Sequence, residues 1–442
     1  MTGIKFYIET YGCQMNIYDS GVITEYLVAG GMRPVEEPEH ADLVLINTCS
    51  VRDRAERKAI SRLMELSALR KQNPRLRIGV LGCMAQRLGQ KLIDAGGRVD
   101  LVAGPDSYGA LRSMLEDLWT SPGPIVETGQ DPGCLYTYRP ESHEGVSAFV
   151  TIMRGCDNYC SYCVVPFVRG RERSKPGESI LEEIRHLVDL GVRQVTLLGQ
   201  NVNSYHDGRM DFADLLEAVD GLPGLDRIRF TTSHPKDLSP KVIDGMRDLP
   251  KVCESLHLPL QSGSNRVLKL MNRGYTCDDY KRLAETAREA VPGLALSTDL
   301  MVGFPSESLA DHEATIRAME SIRFDSAFMF RYSVREGTRA AGLRDDVSEL
   351  EKIRRLREVI ELQNILIDEK KQALPGQEVE ILVEGPSRRD PGFMVGRTRK
   401  NWLAKLPQKG VSKGETVIAR VTGVTRWMIA CDAAVRKVGG TK

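Results

Sequence analysis

Short apolar runs alternate with amphipathic stretches along the first 120 residues of the chain. "IKFYIETYGC", "DLVLINTCS", "RIGVLGCMA" and "DLVAGP" read as strands. Between the second and third, Ile60, Leu63, Leu66 and Leu69 recur at helical spacing and predict an amphipathic helix over 52–72. This βαβα rhythm predicts a doubly wound parallel sheet. The Pro-, Gly- and polar-rich stretch 121–144 then reads as a linker. A second series runs from about Gly145, with strands at "SAFVTIMRG", "QVTLLGQ", "RIRFTTS", "SLHLPL", "LALSTDLMVG" and "SAFMFRYSV". Helices are expected over Glu178–Leu190, Asp278–Ala290 and Ala310–Ser321. Six βα units fall short of the usual eight, which predicts an incomplete (β/α)6 TIM-like barrel with a lateral mouth wide enough for a macromolecule. A charged helix, Val347 to Ala373, closes this segment. Beyond it, β-rich runs divided by Gly and Pro predict a small antiparallel barrel. The expected domains are therefore 1–120, the linker 121–144, 145–372 and 373–442.

Composition adds little until charge is resolved by position. The 442 residues are 41% hydrophobic and 27% charged, ordinary for a globular protein. No apolar run reaches bilayer length, and "MTGIKFYIETYG" lacks the regions of a signal peptide, so a cytoplasmic chain with no membrane contact is expected. The net charge of +1 conceals an asymmetry. From Ala373 onward there are 13 Lys and Arg against 6 Asp and Glu, so the last segment carries +7 and the rest −6. A basic β-domain is often only soluble and positive. Here, however, Arg388, Arg389, Arg397, Arg399, Lys400 and Lys405 lie near Phe393 and Trp402, a mixture suited to phosphate contact and base stacking.

The cysteines change the picture most. Ten in a reducing compartment point to metal or catalytic roles wherever they cluster. Cys13, Cys49 and Cys83 each stand just beyond a predicted strand, at the edge where parallel sheets bind ligands, so they are expected to converge. Cys156, Cys160 and Cys163 form a C-x3-C-x2-C run with Tyr162 before the last cysteine. Three thiolates leave one iron of a four-iron cubane open, and an open position marks catalysis. The alternative is a zinc knot completed by His186 or Cys134. Cys134, Cys253, Cys277 and Cys431 show no ligand spacing and read as structural. The chain has neither a P-loop nor GxGxxG, which removes support for nucleotide hydrolysis and hydride transfer.

The C-x3-C-x2-C spacing resembles the radical S-adenosylmethionine signature. The chain as a whole is similar to the radical S-adenosylmethionine methylthiotransferases, which join a three-cysteine N-terminal domain, a radical barrel and an RNA-binding TRAM domain. "YIETYGCQMN", "NTCSVRDRAE" and "LGCMAQR" resemble the family's N-terminal motifs; "RGCDNYCSYCVVPFVRGRERS", "LLGQNVNSY", "FTTSHPKD", "LHLPLQSGSNRVLKLMNRGYT" and "TDLMVGFPSE" resemble the barrel motifs in order. "NTCSVR" and "LLGQNVN" look most like the branch acting on N6-dimethylallyladenosine at position 37 of tRNA. Other branches act on threonylcarbamoyladenosine or a ribosomal-protein aspartate. "WLAKLPQKGVSKG" departs from the family's TRAM wording.

The resemblance implies two [4Fe-4S] clusters, one on Cys13, Cys49 and Cys83 and one on Cys156, Cys160 and Cys163. It implies two uses of S-adenosylmethionine, for methylation of a cluster-held sulfur and for the radical that functionalises adenine C2. The products are S-adenosylhomocysteine, 5′-deoxyadenosine and methionine. Such chemistry belongs to cofactors rather than side chains. Tyr162, Gln200, Asn201, Ser233, Gln261, Asp299 and Arg171 are then the candidates to touch the cofactor or the base. Arg169, Arg171 and Arg173 either reach the cofactor carboxylate or an RNA phosphate, or are a solvated basic run. His234 and His257 are equally readable as satisfied histidines. "GFPSE", with Glu307, either covers the adenosine end or is a simple turn. The expected partners are the tRNA anticodon stem-loop, a reducing electron-transfer protein and a sulfur donor, around a monomer. A non-catalytic iron–sulfur RNA-binding protein is the alternative of another class.

Overall fold

The computed structural model describes residues 3–50, 53–94, 99–120, 123–131, 133, 135–433 and 436–437. Its first sheet consists of β1 (Lys5–Tyr11), β2 (Arg33–Pro34), β3 (Leu43–Thr48), β4 (Arg77–Gly82), β5 (Leu101–Ala103) and β6 (Ile125–Glu127). All pair in parallel, in the order β2-β1-β3-β4-β5-β6. Every residue of β3 is buried, as a central strand covered on both faces requires. One face packs beneath helices Gln14–Ala29 and Leu111–Thr120 with Val22, Ile23, Leu111 and Leu115; the other gathers Ala59, Leu66, Met84 and Ala85. The sheet is doubly wound, as the alternation predicts.

The stretch expected to be a linker does more than connect. Ile125–Glu127 is the sheet's sixth strand, and Tyr136 packs into its core. The Pro and Gly around both segments mask an edge strand of only three residues.

The second series forms β7 (Ser147–Thr151), β8 (Met153–Arg154), β9 (Arg173–Ser174), β10 (Gln194–Leu198), β11 (Arg227–Thr231), β12 (Ser255–His257), β13 (Ala295–Val302) and β14 (Ser326–Arg331). β7-β10-β11 and β12-β13-β14 are parallel three-stranded sheets, joined by a bridge between Ile228 and Val252. Six parallel strands in chain order, each with its crossover, make the incomplete (β/α)6 barrel. Helix Gln14–Ala29 of the first sheet packs against β7, and helix Glu349–Gln372 against β14. The short antiparallel pair β8–β9 closes the base of the loop 155–172 that carries the second cysteine triplet.

β15 (Glu378–Pro386), β16 (Phe393–Thr398), β17 (Leu403–Pro407), β18 (Thr416–Val424) and β19 (Met428–Cys431) close into a five-stranded barrel through a β15–β18 pairing. β20 (Arg436–Lys437) extends it along β18. Ile381, Val383, Val417, Ala419 and Ile429 fill its interior.

Candidate functional site

Cys13, Cys49 and Cys83 follow β1, β3 and β4, which are adjacent in the sheet. The strand order reverses at β1, so Cys13 and Cys49 flank the switch point where such sheets bind ligands. Close packing of small residues brings the three strand ends together. A Cβ on Gly12 would lie 2.6 Å from Cys49 Cβ, and one on Gly82 (φ +89°) 2.4 Å from Asn47 Oδ1. Asn47, wholly buried at the end of β3, donates to the Asn16 carbonyl and to Ser20 Oγ, each at 2.9 Å. Asn16 Oδ1 in turn accepts from the Cys13 thiol at 3.3 Å. A hydrogen bond from Cys49, with Arg169 nearby, holds the Cys13 thiol down at about 6 against its burial; burial pushes Cys83 up.

The second triplet lies in one loop. Gly155 starts it at φ +79°, where a Cβ would meet the Arg171 carbonyl at 2.0 Å, so only glycine lets the two limbs of the loop pass. Burial raises Cys156 to about 11 and Cys163 to about 12. Arg273 crosses from beyond β12 to donate to Cys160 Sγ at 3.2 Å and to the Pro259 carbonyl at 3.0 Å. Tyr162 stands 3.5 Å from that guanidinium and packs with Met271, Phe304 and Tyr332, so it braces the loop.

The two triplets are tied to each other. Asp19, fully buried on helix Gln14–Ala29, accepts from Arg154 at 2.5 Å and from Arg169 at 2.7 Å. Arg154 precedes Cys156 by two residues, and Arg169 follows the loop's short helix. The Arg169 Nε also donates to Cys83 Sγ at 3.2 Å, so one side chain of the barrel loop reaches into the N-terminal triplet. Val164 and Val168 pack on Cys83 beside it. Asp19, Asn47, Arg154 and Arg273 escape a reading of spacing alone, since each acts through a contact far away in sequence.

Three thiols per site fit a cubane. Among the described residues no group of three Cys, His, Asp or Glu side chains is drawn together around a single ion. The cysteines of a cubane each bind a different iron and stand apart. His186, the candidate fourth zinc ligand, is held instead by the Pro140 carbonyl at 2.7 Å, and Cys134 lies outside the described residues. Cys253, Cys277 and Cys431 are buried.

At the carboxyl ends of β10 and β11 a group of buried polar atoms lacks protein partners: Gln200 Oε1, Asn201 Oδ1, Ser233 Oγ and His234 Nε2. Burial drops His234 to about 2, so its ring is neutral. Buried polar atoms are rarely left unpaired, and this set fits the hydrogen-bonding groups of S-adenosylmethionine. Gln261 (φ +72°) is clamped by its backbone to β13. Asp299 lies 3.6 Å from His257.

The basic run is resolved residue by residue. Arg171, expected at the cofactor, instead forms a bidentate pair with Asp157 on the surface, at 2.8 and 3.0 Å. Arg173 is paired with Asp106, in the turn after β5, and Arg169 with Asp19. The three alternate along the end of the radical loop and the start of β9, and each finds a different protein carboxylate. Glu307 is buried against Arg355, which makes "GFPSE" a braced turn.

In the C-terminal barrel the basic residues divide. Arg388 and Arg389 are exposed. Lys400 sits 5.4 Å over Trp402, and Lys405 4.9 Å over Phe393. Arg397 reaches Glu384 and Asn401 within its own barrel. Arg399, grouped with these as an RNA contact by its sequence, turns inward. It grips Glu254 with both carboxylate oxygens and the Val252 carbonyl, while Arg229 donates to the carbonyls of Thr398 and Arg399. Its place beside β11 and β12 makes it a strut between the barrels.

Known proteins divide along the same lines. The description "Uncharacterized protein family UPF0004" matches residues 5–104, the Radical SAM superfamily 150–319 and the TRAM domain 372–429. The tRNA-2-methylthio-N(6)-dimethylallyladenosine synthase of Moorella thermoacetica is 44% identical over 96% of this chain and 97% of its own. The chain belongs to that synthase family. Synthases of the same name from Thermodesulfovibrio yellowstonii (43% identical, 98% of this chain, 99% of that one) and Desulfosudis oleivorans (47%, 91% and 89%) are similar throughout. As a family member the chain is a radical S-adenosylmethionine enzyme, and its cofactors are S-adenosylmethionine and [4Fe-4S] clusters. In fold the chain resembles the radical S-adenosylmethionine methyltransferase TsrM of Kitasatospora setae, at a TM-score of 0.58 and 15% identity over 77% of this chain and 75% of that one. It also resembles the cobalamin-dependent S-adenosylmethionine radical enzyme OxsB, at a TM-score of 0.51 and 12% identity over 82% and 56%. No helix among the described residues is long and apolar enough to cross a membrane.

Proposed function

We propose that the chain replaces the C2 hydrogen of N6-dimethylallyladenosine at position 37 of tRNA with a methylthio group. The observation that carries this is likeness to synthases named for that product along almost the whole chain, in a molecule with two three-thiol sites. Cys13, Cys49 and Cys83 hold one [4Fe-4S] cluster, and Cys156, Cys160 and Cys163 the other. When bound, these groups and S-adenosylmethionine supply a methylated sulfur and a 5′-deoxyadenosyl radical, which a carbon with no acidic proton requires.

The protein's own part is to bind and to hold distance. The Arg154–Asp19–Arg169 bridge fixes the N-terminal triplet to the radical loop, so the sulfur and the radical reach one adenine. Arg273 and Tyr162 hold Cys160's limb of the loop. Gln200, Asn201, Ser233 and His234 bind the cofactor through polar atoms that no protein group satisfies. Gln261 and Asp299 line the same barrel as polar walls rather than as bases, since hydrogen-atom abstraction needs none. Arg388, Arg389, Lys400 and Trp402 contact the anticodon stem-loop by phosphate attraction and stacking.

In this reading residues 1–120 carry the sulfur, 145–372 generate the radical and 373–442 dock RNA. The segment 121–144 ties the first two together. The enzyme works as a cytoplasmic monomer served by a reducing electron-transfer protein and a sulfur donor.

Mass spectrometry of nucleosides tests the activity directly. Anaerobically reconstituted protein, S-adenosylmethionine, a reductant and dimethylallyl-modified tRNA are expected to yield the 2-methylthio nucleoside with S-adenosylhomocysteine and 5′-deoxyadenosine. Modification of threonylcarbamoyl tRNA or of a ribosomal peptide instead, with dimethylallyl tRNA untouched, would overturn the substrate. Release of no 5′-deoxyadenosine would overturn the radical reading.

A further inference from the structure

Beside the radical loop lies a cavity of about 420 Å³ lined by Ser161, Arg266, Lys269, Leu270, Arg339 and Leu343. Ser161 sits between Cys160 and Tyr162. Arg266, Lys269 and Leu270 lie on the helix Asn265–Leu270 that follows β12, and Arg339 and Leu343 follow β14. All six therefore come from connections at the carboxyl ends of barrel strands, the face on which such barrels receive substrate.

The cavity is built rather than incidental. The Ser161 N–H donates to the Met271 carbonyl at 3.0 Å, and its carbonyl accepts from Ala340 at 2.7 Å, so the loop is pinned to both walls. The residue is only 4% exposed, yet its Oγ has no hydrogen-bond partner. Of the three cations, Arg266 is answered by Asp311 and the Ser306 carbonyl. Lys269 and Arg339 are exposed and make no ion pair among the described residues. Leu270 and Leu343, 37% and 39% exposed, add an apolar rim.

A buried, unsatisfied hydroxyl beside two uncompensated cations in a concave site is the donor set for one oxyanion. We propose that this cavity binds one phosphodiester of the RNA strand next to the adenosine presented to the barrel, with the leucines against its ribose. The proposal rests on the tRNA reading and extends it to a contact outside the C-terminal barrel. Phosphate contacts fix register without reading sequence. A phosphate held on the loop that carries Cys160 and Cys163 fixes where the neighbouring base enters. A docking face for an acidic electron carrier would be broad and flat, and this site is a pocket for a single group.

The test is binding of a dimethylallyl-modified anticodon stem-loop RNA to the reconstituted full chain, by fluorescence anisotropy across a salt series. The proteins compared are wild type, the double variant Lys269→Ala with Arg339→Ala, Ser161→Ala, and Lys269→Arg. The double variant is expected to bind roughly tenfold more weakly, with the slope of log K against log salt smaller by about 1. Lys269→Arg keeps the affinity, and Ser161→Ala loses a few-fold. Iron content is expected to equal wild type in all four. Unchanged affinity and slope in the double variant would overturn the proposal. So would loss of iron, which would make the cavity a prop for the loop, or unchanged RNA binding with slower reduction by an acidic flavoprotein. Wild type that fails to bind the RNA at all overturns the tRNA reading first, and this one with it.

Discussion

The two cysteine sites contain the same three thiols and reach them by opposite routes. The barrel triplet lies within eight residues of one loop, closed at its base by β8 and β9. The N-terminal triplet spans Cys13 to Cys83 and exists only because β1, β3 and β4 are neighbours. The first is set by local chain geometry, the second by sheet topology. In each, a buried guanidinium from another part of the fold donates to one sulfur at 3.2 Å: Arg273 to Cys160, Arg169 to Cys83. The chain thus builds a chemical motif twice, once in sequence and once in space, and tethers both copies the same way.

The largest test of that equivalence removes each triplet. Reconstituted wild type is expected to hold about eight irons and either triple Cys→Ala variant about four. About four in wild type, unaltered by loss of Cys13, Cys49 and Cys83, would break the comparison by leaving one cluster. Glycine variants should separate the routes next. Gly155→Ala forces a Cβ to 2.0 Å from the Arg171 carbonyl at a positive φ, and is expected to lose the barrel cluster alone. Gly82→Ala, driven into Asn47, is expected to lose the N-terminal cluster alone. Iron counts near four from each, with complementary surviving triplets, would show the two sites assemble independently. Loss of both irons sets from either change would show that they do not.

Independence has a limit at Asp19. Asp19→Ala leaves Arg154 and Arg169 buried without their counter-charge, which is expected to cost about 3–5 kcal/mol. Denaturant unfolding measures it. The effect should exceed that of Asp157→Ala, whose partner Arg171 is 76% exposed. Equal effects would mean the bridge carries no load between the domains.

The same contrast between sequence and space explains what could be read in advance. Alternating apolar runs identify both βα series, because strand and helix periods are local properties. Three cysteines at equivalent strand ends betray the N-terminal site once a parallel sheet is inferred. Asp19 is invisible at that level, since nothing in "NIYDSGV" says that two arginines some 140 residues later will meet it. Ile125–Glu127 is missed because three residues between turn formers carry no period. Arg399 is the converse case: it stands in a basic run but faces Glu254. Arg399→Ala is accordingly expected to lower stability by about 1.5 kcal/mol while leaving the salt dependence of RNA binding unchanged. Arg388→Ala with Arg389→Ala should reverse that pattern, reducing the salt slope at unchanged stability. A reduced slope from Arg399→Ala would place it back among the RNA contacts.

The smallest effects are those that compare the two tethers directly. Arg273→Lys and Arg169→Lys each keep a positive charge but give up the planar fork that reaches a sulfur and a second acceptor together. A hydrogen bond to a ligand sulfur favours the more negative, reduced cluster, so losing it lowers the reduction potential. Arg273→Lys is expected to lower the potential of the barrel cluster only, and Arg169→Lys that of the N-terminal cluster only, as followed by electron paramagnetic resonance during a redox titration. If the tethers are equivalent, the two shifts are alike in sign and similar in size. If Arg169→Lys moves the barrel cluster as well, the guanidinium shared by Asp19 and Cys83 couples the sites electrostatically, and the two copies of the motif are one device.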